Sequence, residues 1–500
     1  MSTHVRSDVS VCLCASVVLL SVGLLGPPAA GQGDPVYRVT DLGVLSEDGD
    51  PESRALGLNT DGVVVGWSTA AGGETHAFLW LPEPMFGLAQ GMHDLNVLPD
   101  PDLSGDSIAH AVNEGLYNGS YAVGQANDHA FVWSLGGGFT TYDLGTLSED
   151  LDAESCAWGI NDELDPLIVG DTHYDFGVDR VTRGFRNYLN GSMLALTPAG
   201  YDCGHARDVA NLVTPQDNRV VVGFTYDGAC GMDPDPCATF HAALMWGWPN
   251  LIILPDIPTT SGDWGAEALG TNDVSQTVGW GRDPDTPQCE WVALHWEDRT
   301  VGQPDVIGPR TGPDWTRANA IDEPDQQDSV RVVGANVSLK QALLWQPDGE
   351  DWTQADLNDL IASGCDWELH QAHDVSDESE WIVGYGDVDP GPLQVLHAFL
   401  LTPIGDCPAD IDRDGDVDTD DLLELLGAWG GCPVGSICWA DVNADCTVNT
   451  ADLLLLLGAW GECGVGGGEI PQSVQDCIDK FGFDPIALEA CIEAVTGGLE

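Results

Sequence analysis

Between Val36 and Pro403 short apolar runs alternate with polar turns, and the runs return in one order. The first unit reads Ala55-Leu-Gly-Leu-Asn59, Val63-Val64-Val65-Gly66-Trp67, His76-Ala-Phe-Leu-Trp80 and Asp94-Leu95. The second repeats it as Ala111-Val112-Asn113, Ala122-Val123-Gly124, His129-Ala-Phe-Val-Trp133 and Asp143-Leu144-Gly145. An apolar-Gly mark recurs at Gly66, Gly124, Gly170, Gly223, Gly279, Gly334 and Gly384, which makes seven units of similar size. Each unit offers four β-rich runs separated by Asn, Asp, Gly or Pro turns. A blade of that kind cannot cover both its faces, so blades stack, and a ring leaves none uncapped.

The pattern therefore predicts an all-β, seven-bladed β-propeller over residues 34–403, with a β-helix or sandwich array as the alternative. Tyr37-Arg-Val-Thr-Asp41-Leu42-Gly43 matches the strand that follows the His-Ala-Phe run elsewhere, yet no unit precedes it. The last unit stops at Leu400-Leu401 without that strand. Residues 36–43 are expected to pair beside 397–401 and clasp the ring. His76, His129, His241 and His397 share one repeat position on different blades, which suits structural hydrogen bonds rather than one shared ion. Trp80, Trp133, Trp246, Trp296 and Trp345 are expected to pack between blades. Trp264, Trp315 and Trp367, each after an Asp, read as packing at blade corners, with sugar stacking as the sharper alternative. The near-identical acidic turns at 45–53 and 147–155 read as solvated loops, with calcium as the sharper alternative.

These units resemble the extracellular HAF repeat family, through His76-Ala77-Phe78 and His397-Ala398-Phe399. The resemblance implies a secreted β-rich repeat protein and supplies no catalytic residues.

After Pro403 the pattern changes to two copies of an acidic loop followed by a leucine-rich helix. Copy one places Asp410, Asp412, Asp414, Asp416, Asp418 and Asp421 at positions 1, 3, 5, 7, 9 and 12, with Gly415 at the turn. Copy two places Asp441, Asn443, Asp445, Thr447, Asn449 and Asp452 there, with Cys446 at the turn. Side-chain oxygens at positions 1, 3, 5, 9 and 12 and a carbonyl at position 7 are calcium chemistry. Copy one is expected to bind more tightly, because it has more carboxylates and keeps the glycine.

This segment, 406–463, resembles a type I dockerin, which implies docking to a cohesin-like domain in an extracellular assembly. Thr419-Asp420 and Thr450-Ala451 match that family's recognition pairs. Leu426-Gly427 and Leu457-Gly458 stand where it commonly carries basic residues. A glycine-rich linker at 464–472 leads to a helical hairpin at 473–497, with Ser473 at its start and Pro485 opening its second helix.

Composition narrows the partners. The 500 residues carry 81 acidic and 16 basic side chains, a net charge of −65. That excludes nucleic acid and anionic membranes as partners, since both are bound by clustered positive charge. His4 and Arg6 before an apolar run from Val9 to Leu25, then Gly26-Pro27-Pro28-Ala29-Ala30-Gly31, predict a signal peptide over 1–31 and a secreted protein without a transmembrane segment.

Thirteen cysteines remain after it, an odd number, so at least one is free or intermolecular. Cys477 and Cys491 are expected to staple the hairpin, and Cys446 to pair with Cys407 or Cys463. No nucleophile, P-loop or metalloprotease motif is present. The leading reading is a non-catalytic binding or surface-display module that recognises a glycan or surface protein. The alternatives are a glycoside hydrolase or lyase in polysaccharide catabolism, and a structural surface protein.

Overall fold

The computed structural model describes residues 37–496 apart from 98–104, 116–119, 137, 150–151, 177–178, 190, 197–202, 212–219, 227–239, 248–249, 256–264, 284–289, 298–302, 309–314, 328, 350, 363–364, 389–394, 464–467 and 469. The signal-peptide segment, most of the linker and Trp264 lie outside the described residues, as do the side chains of His241 and Trp246.

The repeats form a β-propeller of seven four-stranded antiparallel sheets. Their inner strands are Ser53–Leu58, Ser107–Val112, Glu154–Ile160, Cys203–Val209, Ala266–Thr271, Thr316–Ile321 and Glu368–Val375. Six sheets are local meanders. The seventh takes its outer strand, Tyr37–Asp41, from the start of the repeats and pairs it with Leu396–Pro403, Tyr37 opposite Pro403 and Asp41 opposite Phe399. The clasp between the ends of the repeat region is thus formed. The ring also closes at the inner strands, where the Leu58 amide donates to Asp374 Oδ2 at 2.8 Å.

The repeated residues have identifiable duties. Each apolar-Gly glycine lies under a backbone carbonyl of its inner strand, where a Cβ would stand 1.9–2.0 Å from that oxygen. Opposite the glycine the inner strand carries a β-bulge, at Ala55/Gly57 in the first sheet and at the equivalent place in the other six.

The His-Ala-Phe run ties blades together. His76 Nδ1 lies 2.8 Å from Asp94 Oδ2, His129 Nδ1 3.0 Å from Asp143 Oδ2 and His397 Nδ1 2.9 Å from Asp41 Oδ1, so the histidine orders the outer strand. The alanine amide reaches the next blade. Ala77 donates to Ser107 Oγ, Ala130 to Ser155 Oγ, Ala293 to Thr316 Oγ1 and Ala398 to Ser53 Oγ, at 2.7–3.0 Å. Ser53 and Ser155 close the two acidic turns, so the turns share their last residue for this contact, while Glu47, Asp48 and Asp50 are exposed. Trp80, Trp133, Trp296 and Trp345 are buried in the blade cores.

The C-terminal module contains helices α1 (Thr419–Gly427), α2 (Thr450–Ala459), α3 (Gln472–Phe481) and α4 (Pro485–Thr496). Asp418 with Asp421, and Asn449 with Asp452, form capping boxes that start α1 and α2. The α3 helix begins at Gln472 with Pro471 as its N-cap, so Ser473 lies inside the first turn rather than capping it. Val474, Cys477, Leu488 and Ile492 of the hairpin join Leu422, Leu425, Leu453 and Leu456 in one hydrophobic core.

Disulfides Cys407–Cys463, Cys432–Cys438 and Cys477–Cys491 cross-link this core. Cys446 does not pair with Cys407 or Cys463, because those two bond to each other. It bonds to Cys365 in the propeller. Cys156 is the free cysteine among the described residues, and it is buried. No described helix is long and apolar enough to cross a membrane.

Candidate functional sites

The bulges decide what faces the central channel. A bulge re-aims side chains, and here it sets one extra residue per blade at the channel. These are Leu56, His110, Trp158, Arg207, Leu269, Asn319 and His373, and all seven line one cavity of about 510 Å³ at the starts of the inner strands. Each follows a fully buried alanine, from Ala55 to Ala372, which supplies the flat contact between strands. Arg54, Ile108, Glu267, Arg317 and Gln371, two residues earlier on their strands, complete the wall with Trp67. His110 stacks on Trp158 at 4.1 Å between centroids, and Arg207 lies over the same indole at 4.3 Å. Burial first, then the charge of the nearby arginines, holds His110 and His373 down to about 3, so both are neutral.

The opposite ends of the inner strands form an acidic throat. There the residue following the Asn-type turn presents an oxygen to the preceding blade's amide in six of the seven blades. Thr60 donates to Glu114, Glu114 to Asp162, Asp162 to Asn211, Asn211 to Asp273, Asp273 to Glu323 and Glu323 to Asp377, at 2.5–2.9 Å. Burial pushes the Asp374 carboxyl up to about 8, Glu323 up to about 7 and Asp208 up to about 6. These carboxylates accept backbone amides, a structural duty.

Of the tryptophans with candidate sugar roles, Trp315 is exposed and stacks on Trp291, which stacks on Trp280. Trp367 packs edge-on to Phe399.

The calcium-type loops lie in the module. Among the described residues, the His, Cys, Asp and Glu groups close enough to share an ion are all there. In loop one, oxygens of Asp410, Asp412 and Asp414 lie within 4.8 Å of one another, and Asp410 Oδ1 is buried without a hydrogen-bond partner. An orphaned buried carboxylate oxygen is costly and fits an ion there. Asp416 is exposed, and its amide donates to Asp414 Oδ1 at 3.0 Å. Asp418 caps α1, while Asp421 accepts the amides of Ile411 and Asp418 at 2.6 and 2.7 Å.

Loop two gathers Asp441, Asp445 and Asp452 within the same distance. Asn443 Oδ1 accepts the Asp445 amide, Asp445 Oδ1 accepts the Thr447 amide, and Asn449 caps α2. Cys446 adopts φ +67°, where Gly415 of loop one has φ +100°. The disulfide to Cys365 pins the cysteine in that left-handed conformation. Of the dockerin-type recognition positions, Asp420 and Ala451 are exposed while Thr419 and Thr450 are half-buried, at the first turns of α1 and α2.

Loop two also faces the propeller. Arg38 of the clasp strand donates to the Asp441 carbonyl from Nε at 3.3 Å and from its terminal nitrogen at 2.9 Å. Its guanidinium lies 5.1 Å from the Trp439 ring, which also carries Arg413. The Gly435 amide donates to the Asp41 carbonyl, and Trp80 Nε1 donates to the Gly435 carbonyl. The module is thus seated on the clasp. Neither this seat nor the channel residues figured among the sequence candidates.

No family model matches the chain, and no curated protein does. Solved structures match at low identity. A mutant of AofleA from Arthrobotrys oligospora is 12% identical, over 66% of this chain and 91% of that one, at a TM-score of 0.33. The β-propeller domain of the Trilobed protease from Pyrococcus furiosus, described as having an open velcro topology, is 12% identical over 73% and 95%, at 0.36. A fucose-specific lectin from Aleuria aurantia is 10% identical over 65% and 97%, at 0.30.

Proposed function

We propose that the chain is a secreted, non-catalytic binding module, a seven-bladed HAF-type propeller that takes its ligand at the channel mouth. The observation that carries this reading is the cavity itself. One variable side chain from every blade converges on about 510 Å³, while the alanine before each of them and the glycine opposite the bulge stay constant. A constant frame around a variable lining is how a scaffold carries a site.

In this reading the module binds calcium in two loops, through Asp410, Asp412, Asp414, Asp416, Asp418 and Asp421, and through Asp441, Asn443, Asp445, Thr447, Asn449 and Asp452. The metal neutralises crowded carboxylates and holds the start of each helix. Thr419, Asp420, Thr450 and Ala451 would meet a cohesin-like partner in an extracellular assembly.

The test is a glycan-array screen of the full chain, run beside a hydrolysis screen on the same polysaccharides. Saturable binding without product release is expected. Sustained release of new sugar ends, lost on mutating a pair of carboxylates, would replace this reading with that of a glycoside hydrolase or lyase.

A further inference from the structure

The chain is overwhelmingly acidic, yet three of its 16 basic residues, Arg54, Arg207 and Arg317, meet in the channel-mouth cavity. Glu267 is the one carboxylate in that lining. It hydrogen-bonds Trp280, so part of its accepting capacity is spent within the wall. Arg54 and Arg207 do have carboxylates behind them, Glu52 at 3.8 Å and Asp171 at 3.6 Å. Asp171, however, also serves His205 at 2.7 Å and His173 at 3.2 Å. Arg317 Nε donates to Asn319 Oδ1 at 2.7 Å, a neutral acceptor.

Donors outnumber acceptors in this wall. A guanidinium carries five N–H donors and no acceptor, and an amide adds two more. Arg54 Nε, Arg207 Nε and Gln371 Nε2 find no acceptor among the described residues. A cavity with spare cationic donors calls for a ligand rich in acceptors, and an anion is recognised best. The Trp67 indole adds a flat apolar surface of the kind on which a sugar ring stacks, with Arg54 5.2 Å from its centroid, while Trp158 already carries His110 and Arg207. The volume falls within the range of about 300–1,000 Å³ usual for small-molecule sites.

We propose that the channel mouth binds an anionic saccharide, carboxylated or sulfated, with Arg54, Arg207 and Arg317 taking the anionic group and Trp67 taking the ring. This deepens the binding-module reading and rests on it. The acidic surface outside the mouth repels the further charges of a long polyanion, so a short ligand suits the site better than a polymer.

The test is calorimetry on the full chain with digalacturonate, a sulfated galactobiose and neutral galactobiose. At least one anionic disaccharide should bind at least tenfold more tightly than the neutral one, and which one binds identifies the group. Arg317→Gln should weaken that binding about tenfold, while Glu267→Gln, which removes the one carboxylate of the lining, should tighten it. The two substitutions move charge in opposite directions at neighbouring positions, so general loss of fold cannot produce both results. Neutral galactobiose binding as tightly, or affinity indifferent to both substitutions, would overturn the anionic assignment and leave a binding module. Absence of binding by anionic and neutral sugars alike, across the glycan array as well, would overturn both.

Discussion

The propeller and the C-terminal module solve the same problem, how to hold many acidic residues in one fold, by opposite means. The propeller spreads its order over repeats. Every blade contributes a buried strand core. Among the described residues three add a His–Asp hydrogen bond and four a hydroxyl that takes the neighbouring blade's amide, and the throat carboxylates are satisfied by backbone donors. The module has a small core, and it concentrates three disulfides and two carboxylate loops around it. Small domains commonly need such staples because they bury too little surface. One region is held by packing that no single contact dominates, and the other by a few covalent and ionic points. They should fail differently.

Calcium removal should separate them most sharply. On the calcium reading proposed above, removing the metal leaves clustered carboxylates that repel and takes away what organises α1 and α2. A chelator added to the full chain should lower the helical circular-dichroism signal while the propeller's strands persist. Loop one should bind more tightly than loop two. It carries carboxylates at positions 3 and 9 where loop two has Asn443 and Asn449, and loop two lies beside the cation of Arg38. Asp410→Ala should abolish the tighter calorimetric site and Asp441→Ala only the weaker. Two equal sites would show that the Cys365–Cys446 anchor offsets the missing carboxylates.

A glycine exchange gives the next largest effect. At Gly279 a Cβ would stand 1.9 Å from the Glu267 carbonyl, so Gly279→Ala must displace backbone in a closed ring. The expected cost is about 3 kcal/mol, at the upper end for overpacking. Gly415→Ala meets no neighbour within 4 Å and strains only its φ of +100°. It should cost about 1 kcal/mol, as alanine at a left-handed position does. Denaturant midpoints of the two variants measure the contrast, and equal losses would contradict the reading of the glycine as a steric necessity.

Legibility followed the same division. The blade frame was readable because Gly66 and its six counterparts answer one steric demand, and His76-Ala77 answers two hydrogen-bond demands that recur at His129-Ala130 and His397-Ala398. The clasp was readable because Tyr37–Asp41 carries an outer-strand pattern without a blade of its own. The two clusters of loop carboxylates were readable because the oxygens of each lie within one short segment.

The channel mouth was not, since it draws one residue from each unit at the position free to vary. The usable signal was the constant alanine before it, at Ala55, Ala109, Ala157, Ala206, Ala268, Ala318 and Ala372. The partner of Cys446 was not readable either. Cysteine spacing leaves connectivity open, and Cys365 is brought to it only by the seating of the module on the propeller.

Acidification should move the two regions in opposite directions. Asp374, Glu323 and Asp208 of the throat have folded pKa values of about 8, 7 and 6, raised chiefly by burial and further by the like charges of Asp377, Asp273 and Asp162. A carboxyl raised in the folded state holds a proton that the unfolded chain releases. These groups therefore add stability as pH falls from about 8 towards 5, and lose it as pH rises through their folded values. On the same calcium reading protons compete with the metal for the loop carboxylates, so the module should weaken over the same fall. Calorimetry of the calcium-loaded chain at pH 7.5 and about 5.5 should show the propeller transition rise and the module transition drop. A shared downward shift would show that the throat carboxylates are ionised in the folded ring.

The smallest effect tests the tie between blades. Ser155 Oγ accepts the Ala130 amide at 2.7 Å and donates to the Gly145 carbonyl at 2.6 Å, so one hydroxyl bridges two blades. Ser155→Ala strands both backbone groups, and Ser155 itself is fully buried, which keeps water from replacing the hydroxyl. The expected loss is about 1–2 kcal/mol, the cost of leaving buried partners unsatisfied. Thr316 performs the same duty three blades on and is equally buried, so the site tolerates an added methyl group there. Ser155→Thr should therefore retain most of the stability that Ser155→Ala loses, read as the shift in denaturant midpoint at constant slope. If alanine and threonine cost the same, the hydroxyl is not the tie, and blade cohesion rests on the apolar cores alone.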